Sequence, residues 1–202
     1  MTKRAVIFDF GGVLMKTRDY APRHRWDDRL NLAYGSVERA VHNDETWRSA
    51  QIGAIPIETY WADVAARLNL TGAQVKQLAE DFYRGDVLDA QLIDLIKSLR
   101  AEGFTIALLS NDSVELRPKL ERLGILELFD PLIITAEIGV MKPDTAAYNT
   151  VLERIRHRAD ESIFIDDRQE NIEGAAAVGI HGIHYKDGMD LRAALDDLLY
   201  TE

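Results

Sequence analysis

The stretch Ala5-Val6-Ile7-Phe8-Asp9-Phe10-Gly11-Gly12-Val13-Leu14 decides how this chain folds. Its apolar, largely β-branched and aromatic start reads as a buried strand of a parallel sheet. The run stops at the Asp9 carboxylate and then at glycines. In an open α/β sheet, ligands gather at the carboxyl ends of strands, and glycines let backbone N–H groups approach an anion closely. Alone, Asp9 also reads as a turn cap.

Working outward, the same design recurs. Thr105-Ile106-Ala107-Leu108-Leu109 runs into Ser110-Asn111-Asp112, and Ser162-Ile163-Phe164-Ile165 into Asp166-Asp167. Between them, Gly139-Val140-Met141-Lys142-Pro143-Asp144 sets a lysine beside a proline suited to the first turn of a following helix. Separately, Ser110 and Asp112 also read as helix N-caps, Lys142 as a solvated charge, and Asp166-Asp167 as the start of a capped helix. The ordered set favours a site.

Converging carboxylates repel one another unless a cation sits among them. Hard oxygen ligands with spare coordination positions suit Mg²⁺, which keeps waters and bridges to phosphate. A serine hydroxyl and a lysine ammonium supply donors for the remaining phosphate oxygens, and stabilise charge in phosphoryl transfer. An aspartate in such a site can itself attack phosphorus. The residues therefore point to Mg²⁺-dependent phosphoryl transfer.

These segments, with Asn171 following, resemble the haloacid dehalogenase-like (HAD) hydrolase superfamily in order and spacing, from nearly the first residue to about Tyr185. The resemblance implies a doubly wound Rossmann-like parallel sheet with an inserted all-helical cap, as in subfamily I with its C1-type cap. It implies Asp9 as nucleophile and metal ligand, Ser110 as phosphate-binding hydroxyl, and Lys142 as the cation that neutralises both. It implies Asp166 and Asp167 as Mg²⁺ ligands, and places Gly11, Gly12 and Asn111 against the substrate phosphate.

One position departs from the pattern. Phosphatases of the superfamily carry a second Asp two residues after the nucleophile as general acid and base; here Gly11 stands there. In the family that position holds the metal through its backbone carbonyl, which glycine retains. Proton transfer is lost, and general acid–base catalysis contributes about 10²–10⁴-fold. A subgroup with Gly here, similar to bacterial sugar-1-phosphate phosphatases, stays active, so hydrolysis of a small phosphorylated metabolite such as a sugar phosphate is the favoured expectation. Acyl phosphates and anomeric sugar phosphates suffer least from the loss. Asp112, Asp19, His24 and Asp27 are the candidates to replace the acid, each also readable as a surface or capping residue. Without a replacement, a burst and accumulated phosphoenzyme are expected. The alternatives are a phosphate-binding regulatory protein without turnover, and a haloacid dehalogenase. Dehalogenases of the superfamily use no metal and carry Ser and Asn in place of the acidic pair, whose charges need a cation. Response-regulator receivers place their acidic pair first in the chain, not last.

The remaining sequence fits a small two-part enzyme. The chain has 202 residues, 47% apolar and 29% charged, with a net charge of −10. That acidity disfavours nucleic acid and anionic membranes as partners. There is no cysteine, and no segment approaches the roughly 18–20 apolar residues of a membrane span. A cytoplasmic location is the expectation. Residues 1–15 and 88–202 read as the core and 16–87 as the cap. From Lys16 to about Gly85 no strand-like run is seen, but helices over Val37–Ser49, Pro56–Leu68 and from Thr71 to Phe82. Trp26, Trp47 and Trp61 all fall in this region. Trp61 reads as cap core, and Arg23-His24-Arg25-Trp26 as a solvated face rather than a substrate-recognition cluster. A cap over the strand ends argues for a small-molecule substrate. After Leu88, helices and strands alternate, ending in a strand at His181–Tyr185 and a helix over Leu191–Leu199. His181 and His184 read as strand-end residues rather than ligands.

Overall fold

The structure, a computed structural model, describes residues 4–200. Strand β1 (Ala5–Phe8) leads through the glycine turn to the short β2 (Met15–Thr17). Five helices follow: α1 (Ala21–Arg29), α2 (Ser36–Val41), α3 (Thr46–Gln51), α4 (Ile57–Arg67) and α5 (Gly72–Phe82). The chain returns through β3 (Asp86–Leu88), α6 (Ala90–Ala101), β4 (Thr105–Ser110), α7 (Leu116–Arg122) and β5 (Leu132–Ile134). It closes with α8 (Thr135–Ile138), α9 (Thr145–Ile155), β6 (Ser162–Asp166), α10 (Gln169–Ala177), β7 (His181–His184) and α11 (Leu191–Leu199).

The main sheet has the order β5-β4-β1-β6-β7, every pair parallel. Period-two side-chain alternation along β1 builds both faces of a doubly wound core. Val6 and Phe8 join Ile96, Leu99, Leu120 and Leu195 of α6, α7 and α11 on one side. Ala5 and Ile7 join Tyr148, Val151 and Ala175 of α9 and α10 on the other. Helix α10 packs closely: a Cβ on Gly174 would stand 2.6 Å from the carbonyl oxygen of Pro143. Phe8 pairs with both Leu108 and Ile165, so Asp9, Ser110 and Asp166 emerge together at the carboxyl ends. After β1 the chain moves to β4 and later returns to β6 on the opposite side. Such a switch point is where open α/β sheets bind ligands.

The inserted helices bury a third, separate cluster around Trp26, Tyr60, Val64, Leu78 and Phe82. Helix α5 starts from a reciprocal Thr71–Gln74 capping box. Three expectations are corrected here. The insertion is entered and left through an antiparallel ribbon, Met15 opposite Leu88 and Thr17 opposite Asp86, so Lys16 and Thr17 belong to a strand. The helix expected over Val37–Ser49 is two, because Asn43 Oδ1 accepts from the Glu45 and Thr46 amides and starts the chain afresh. Pro143 lies outside its helix, whose N-cap is Asp144. Among the described residues no helix is long and apolar enough to cross a membrane.

Candidate active site

Lys142 joins the strand ends. Its ammonium is 2.7 Å from Asp9 Oδ1 and 2.6 Å from Asp166 Oδ2. All three residues are buried, Lys142 to 2% exposure and Asp166 completely. Asp166 also accepts from Asn171 Nδ2 at 3.0 Å and from the Arg168 amide at 2.8 Å. Asn171 is held in turn, its carbonyl accepting from Tyr148 Oη at 2.7 Å.

Asp167, exposed at the rim, completes an acidic triad: Asp9, Asp166 and Asp167 each offer an oxygen within 4.8 Å of the others. Gly12, at φ +80°, makes room for it, since a Cβ there would stand 2.2 Å from Asp167 Oδ2. His184 Nε2 meets the Asp167 carbonyl at 3.0 Å, the strand-end role expected of it. Three carboxylates around one ammonium leave an excess of negative charge, and the consequence falls on Asp9. Burial, with Asp166 adding to it and Lys142 opposing, pushes its carboxyl up to about 7. Burial and Asp166 also push Asp167 upward. Lys142 is pulled down by burial, but Asp9 and Asp166 outweigh this and hold it above the ordinary lysine value. This set of hard, charged oxygens fits a small divalent cation.

Ser110 ends β4 buried at 3% exposure, beside β1. Asn111 directs its side chain at Lys142 rather than outward: Nδ2 donates to the Lys142 carbonyl at 2.9 Å, and Oδ1 accepts from the Lys142 amide at 2.9 Å. Its own carbonyl accepts from Gln51 Nε2 of α3 at 2.7 Å. The Gln51 carbonyl accepts from Thr135 Oγ1 at 2.6 Å. A hydrogen-bonded path therefore runs from the helical insertion to the buried lysine. Asn111→Ala leaves two Lys142 backbone groups unpaired. It should lower stability by about 1–3 kcal/mol and lower kcat more than it raises KM, as thermal melts and steady-state kinetics would register. Unchanged kcat in a folded variant would remove Asn111 from lysine positioning.

A cavity of about 1030 Å³ opens above these strand ends, between sheet and insertion. Gly11, Gly12 and Asn111 line it beside the strand ends, and Trp47, Trp61 and Tyr83 line it from the insertion. Asp112 lies on its wall, its carboxyl accepting from the Ser113 amide at 2.7 Å and pushed up to about 6 by burial. The other candidate replacement acids are engaged elsewhere. Asp27 accepts from the Gly35 and Val37 amides, Asp19 from the Ala21 amide, and His24 stacks on Tyr20.

The basic cluster is only in part the solvated face expected: Arg25 is exposed and His24 half-buried, but the other two residues are not. Arg23 and Trp26 are 4% and 2% exposed. Arg23 bonds Glu38 at 2.8 Å, Thr17 Oγ1 at 2.7 Å and the Phe82 carbonyl at 3.0 Å, tying α1 to the ribbon and to α5. Trp61 is half-buried on the cavity as well as packed on Tyr60.

Three carboxylates and a buried ammonium at the switch point of a parallel α/β sheet define a carboxylate-centred hydrolase. The haloacid dehalogenase-like hydrolase family matches residues 3–179, and the chain belongs to that family. It is 28% identical over 193 residues to the sesquiterpene phosphatase of Aspergillus oryzae, covering 93% of this chain and 92% of that one. It is 26% identical over 190 residues to (S)-2-haloacid dehalogenase 1 of a Pseudomonas species, covering 89% and 83%. A HAD-like family hydrolase of Porphyromonas gingivalis shares the fold at a TM-score of 0.81 and 22% identity, over 100% of both chains. A HAD family enzyme of Bacteroides thetaiotaomicron, solved with magnesium and inorganic phosphate, does so at 0.80 and 20% identity, over 95% of this chain and 98% of that one.

Proposed function

We propose that this hydrolase cleaves small phosphate monoesters, with Mg²⁺, through an aspartyl-phosphate on Asp9. The observation that carries the reading is the triad of Asp9, Asp166 and Asp167 oxygens within 4.8 Å of one another, with Lys142 as the buried cation bonded to two of them. A relative that is a phosphatase and one that is a dehalogenase both stand close in sequence. The acidic pair favours the phosphatase, because without a cation it is electrostatically costly.

Asp9, the Gly11 carbonyl, Asp166 and Asp167 would hold Mg²⁺, which neutralises phosphate charge when bound. Asp9 attacks phosphorus: its oxygen–phosphorus bond forms as the ester oxygen–phosphorus bond breaks, and the leaving oxygen takes a proton from solvent water. Water then attacks the phosphorus of the acyl phosphate, releasing phosphate and restoring Asp9. Lys142 holds Asp9 in place and offsets its charge. Ser110 and the Gly11 amide donate to phosphate oxygens, with Lys142 facing the same group; the Gly12 amide is instead spent on the Met15 carbonyl at 2.9 Å. Gly11 offers no side chain for the leaving-group proton, so acyl phosphates and other esters with weakly basic leaving oxygens react fastest. Residues 16–87 act as a C1-type cap over a core of residues 1–15 and 88–202, which restricts substrates to small molecules. An acidic protein of this kind works on a free cytoplasmic metabolite.

Phosphate release from acyl, sugar and aryl phosphates, with and without Mg²⁺, tests the reading. Turnover should need Mg²⁺ and vanish in Asp9→Asn. Absence of turnover above that variant on every ester would leave a phosphate-binding protein instead.

The raised Asp9 carboxyl predicts how the site responds to pH. Relative to an ordinary aspartate, burial favours its protonated form, so in the metal-free protein its contribution to stability is present at low pH and lost as pH rises through about 7. Mg²⁺ must displace that proton, so apparent affinity should fall about tenfold per pH unit below neutrality. Calorimetric titration should show this; affinity constant between pH 6 and 8 would count against it.

A further inference from the structure

The cavity carries a cluster of apolar and aromatic side chains on one wall. These are Trp47 of α3, Ile57 and Trp61 of α4, and Tyr83 beyond α5, all partly exposed. Leu123, after α7, faces the same space and is 37% exposed.

The buried polar side chains of the cavity are largely committed to one another, while Lys76, Glu80, Glu115 and Arg122, which also line it, are exposed. Arg23 is held by Glu38, Thr17 and the Phe82 carbonyl. Lys16 bonds Asp89 at 2.7 Å and Tyr185 Oη at 2.6 Å, and Arg18 pairs with Asp187. Tyr60 Oη donates to the Val41 carbonyl at 2.7 Å, and Gln51 to the Asn111 carbonyl. The Lys119 ammonium lies 5.1 Å from the Tyr83 ring centre and 5.5 Å from that of Phe10, with Asp86 at 3.9 Å. A polyhydroxylated leaving group would have to break such bonds to be recognised, and each broken bond leaves a partner unsatisfied. An apolar body asks nothing of them and covers the aromatic wall, as in pockets that are mostly apolar with few polar anchors.

We infer that the leaving group is the phenol or other weakly basic hydroxyl of a predominantly apolar chain or ring system, lying against Trp47, Ile57, Trp61 and Tyr83 while the phosphate reaches Asp9. The inference rests on the phosphatase reading above. It replaces the sugar phosphates favoured on sequence with apolar esters as the preferred class.

The test is a series of 4-alkylphenyl phosphates, from methyl to heptyl, each below its critical micelle concentration, beside glucose 1-phosphate and acetyl phosphate. The basicity of the leaving oxygen is nearly constant along the series, so its slope reads the wall and not the missing acid. Wild-type kcat/KM should rise about threefold per methylene, close to full burial of each group, and exceed that for glucose 1-phosphate. The rise should flatten in Trp61→Ala and, as a milder change less liable to unfold the cap, in Ile57→Ser. The matching 4-alkylphenyl phosphonates, which cannot turn over, should quench tryptophan fluorescence with the same slope in affinity.

Acetyl phosphate turnover with no slope in either series, or a preference for glucose 1-phosphate, would overturn the apolar class while the phosphatase reading stands. A phosphonate slope with no phosphate released from any ester would keep the apolar class and sink the phosphatase reading.

Discussion

Gly11→Asp should raise turnover of esters with poor leaving groups by about 10²–10⁴-fold, the range that general acid–base catalysis supplies. The backbone accepts the change: a Cβ at Gly11 meets nothing within 4 Å, and position 11 is not among the left-handed glycines. The new carboxyl would stand two residues beyond Asp9, where phosphatases of this superfamily keep their acid and base. It would protonate the leaving oxygen, then draw a proton from the water that attacks the acyl phosphate. Acetyl phosphate, whose leaving group needs no proton, should gain little in the first step. In the metal-free protein a fourth carboxylate joins an already negative site, so the melting temperature should fall and recover with Mg²⁺. No gain on any ester, in a variant that binds Mg²⁺ normally, would mean that proton transfer is already supplied. Asp112, on the cavity wall with its carboxyl pushed up to about 6, would then be the residue to replace.

Lys142→Met should reduce turnover by about 10³-fold or more, at the upper end of what one lost charge-stabilising donor costs. The lysine does two things at once through bonds of 2.7 and 2.6 Å. It keeps Asp9 partly ionised against burial, and it separates Asp9 from Asp166. Without it, two buried carboxylates face each other and one holds its proton well above neutrality. Asp9 then loses its nucleophilic form. The contribution of the raised carboxyl to folding is greatest on the acid side, so the variant should be closer to wild type in stability at pH 6 than at pH 8. Removing one partner of a buried ion pair costs about 3–5 kcal/mol, and protonation relieves part of that on the acid side. A Lys142→Met enzyme with wild-type kcat would remove the lysine from the reaction.

Much of this architecture is written locally. Strands that end in Asp9, Ser110 and Asp166 need only a short window to be read, because burial on both faces gives each a near-continuous apolar run. Register does the rest: Phe8 opposite both Leu108 and Ile165 brings those ends together. What escaped depends on contacts between distant segments. The ribbon of Met15–Thr17 with Asp86–Leu88 is three residues long on each side, too short for alternation to show. Arg23 looks like a surface charge in its own helix, and only Glu38, Thr17 and the Phe82 carbonyl make its burial tolerable. Gln51 carries no motif at all, yet it connects the insertion to Asn111. The break between α2 and α3 did leave a signal in Asn43, a residue that competes for backbone amides, ahead of Thr46. For Asn111, the motif gave the position, and the fold turned its side chain toward the lysine backbone instead of outward.

The most direct test of the central claim is to mix the enzyme with Mg²⁺ and acetyl phosphate, quench in acid, and map phosphorylation by peptide mass spectrometry. With no general base at position 11, water should attack slowly and an acid-stable, hydroxylamine-sensitive acyl phosphate should accumulate on Asp9. It should be absent without Mg²⁺ and in Asp9→Asn. Steady Mg²⁺-dependent phosphate release with no burst and no label on Asp9, or with label on another residue, would contradict the mechanism.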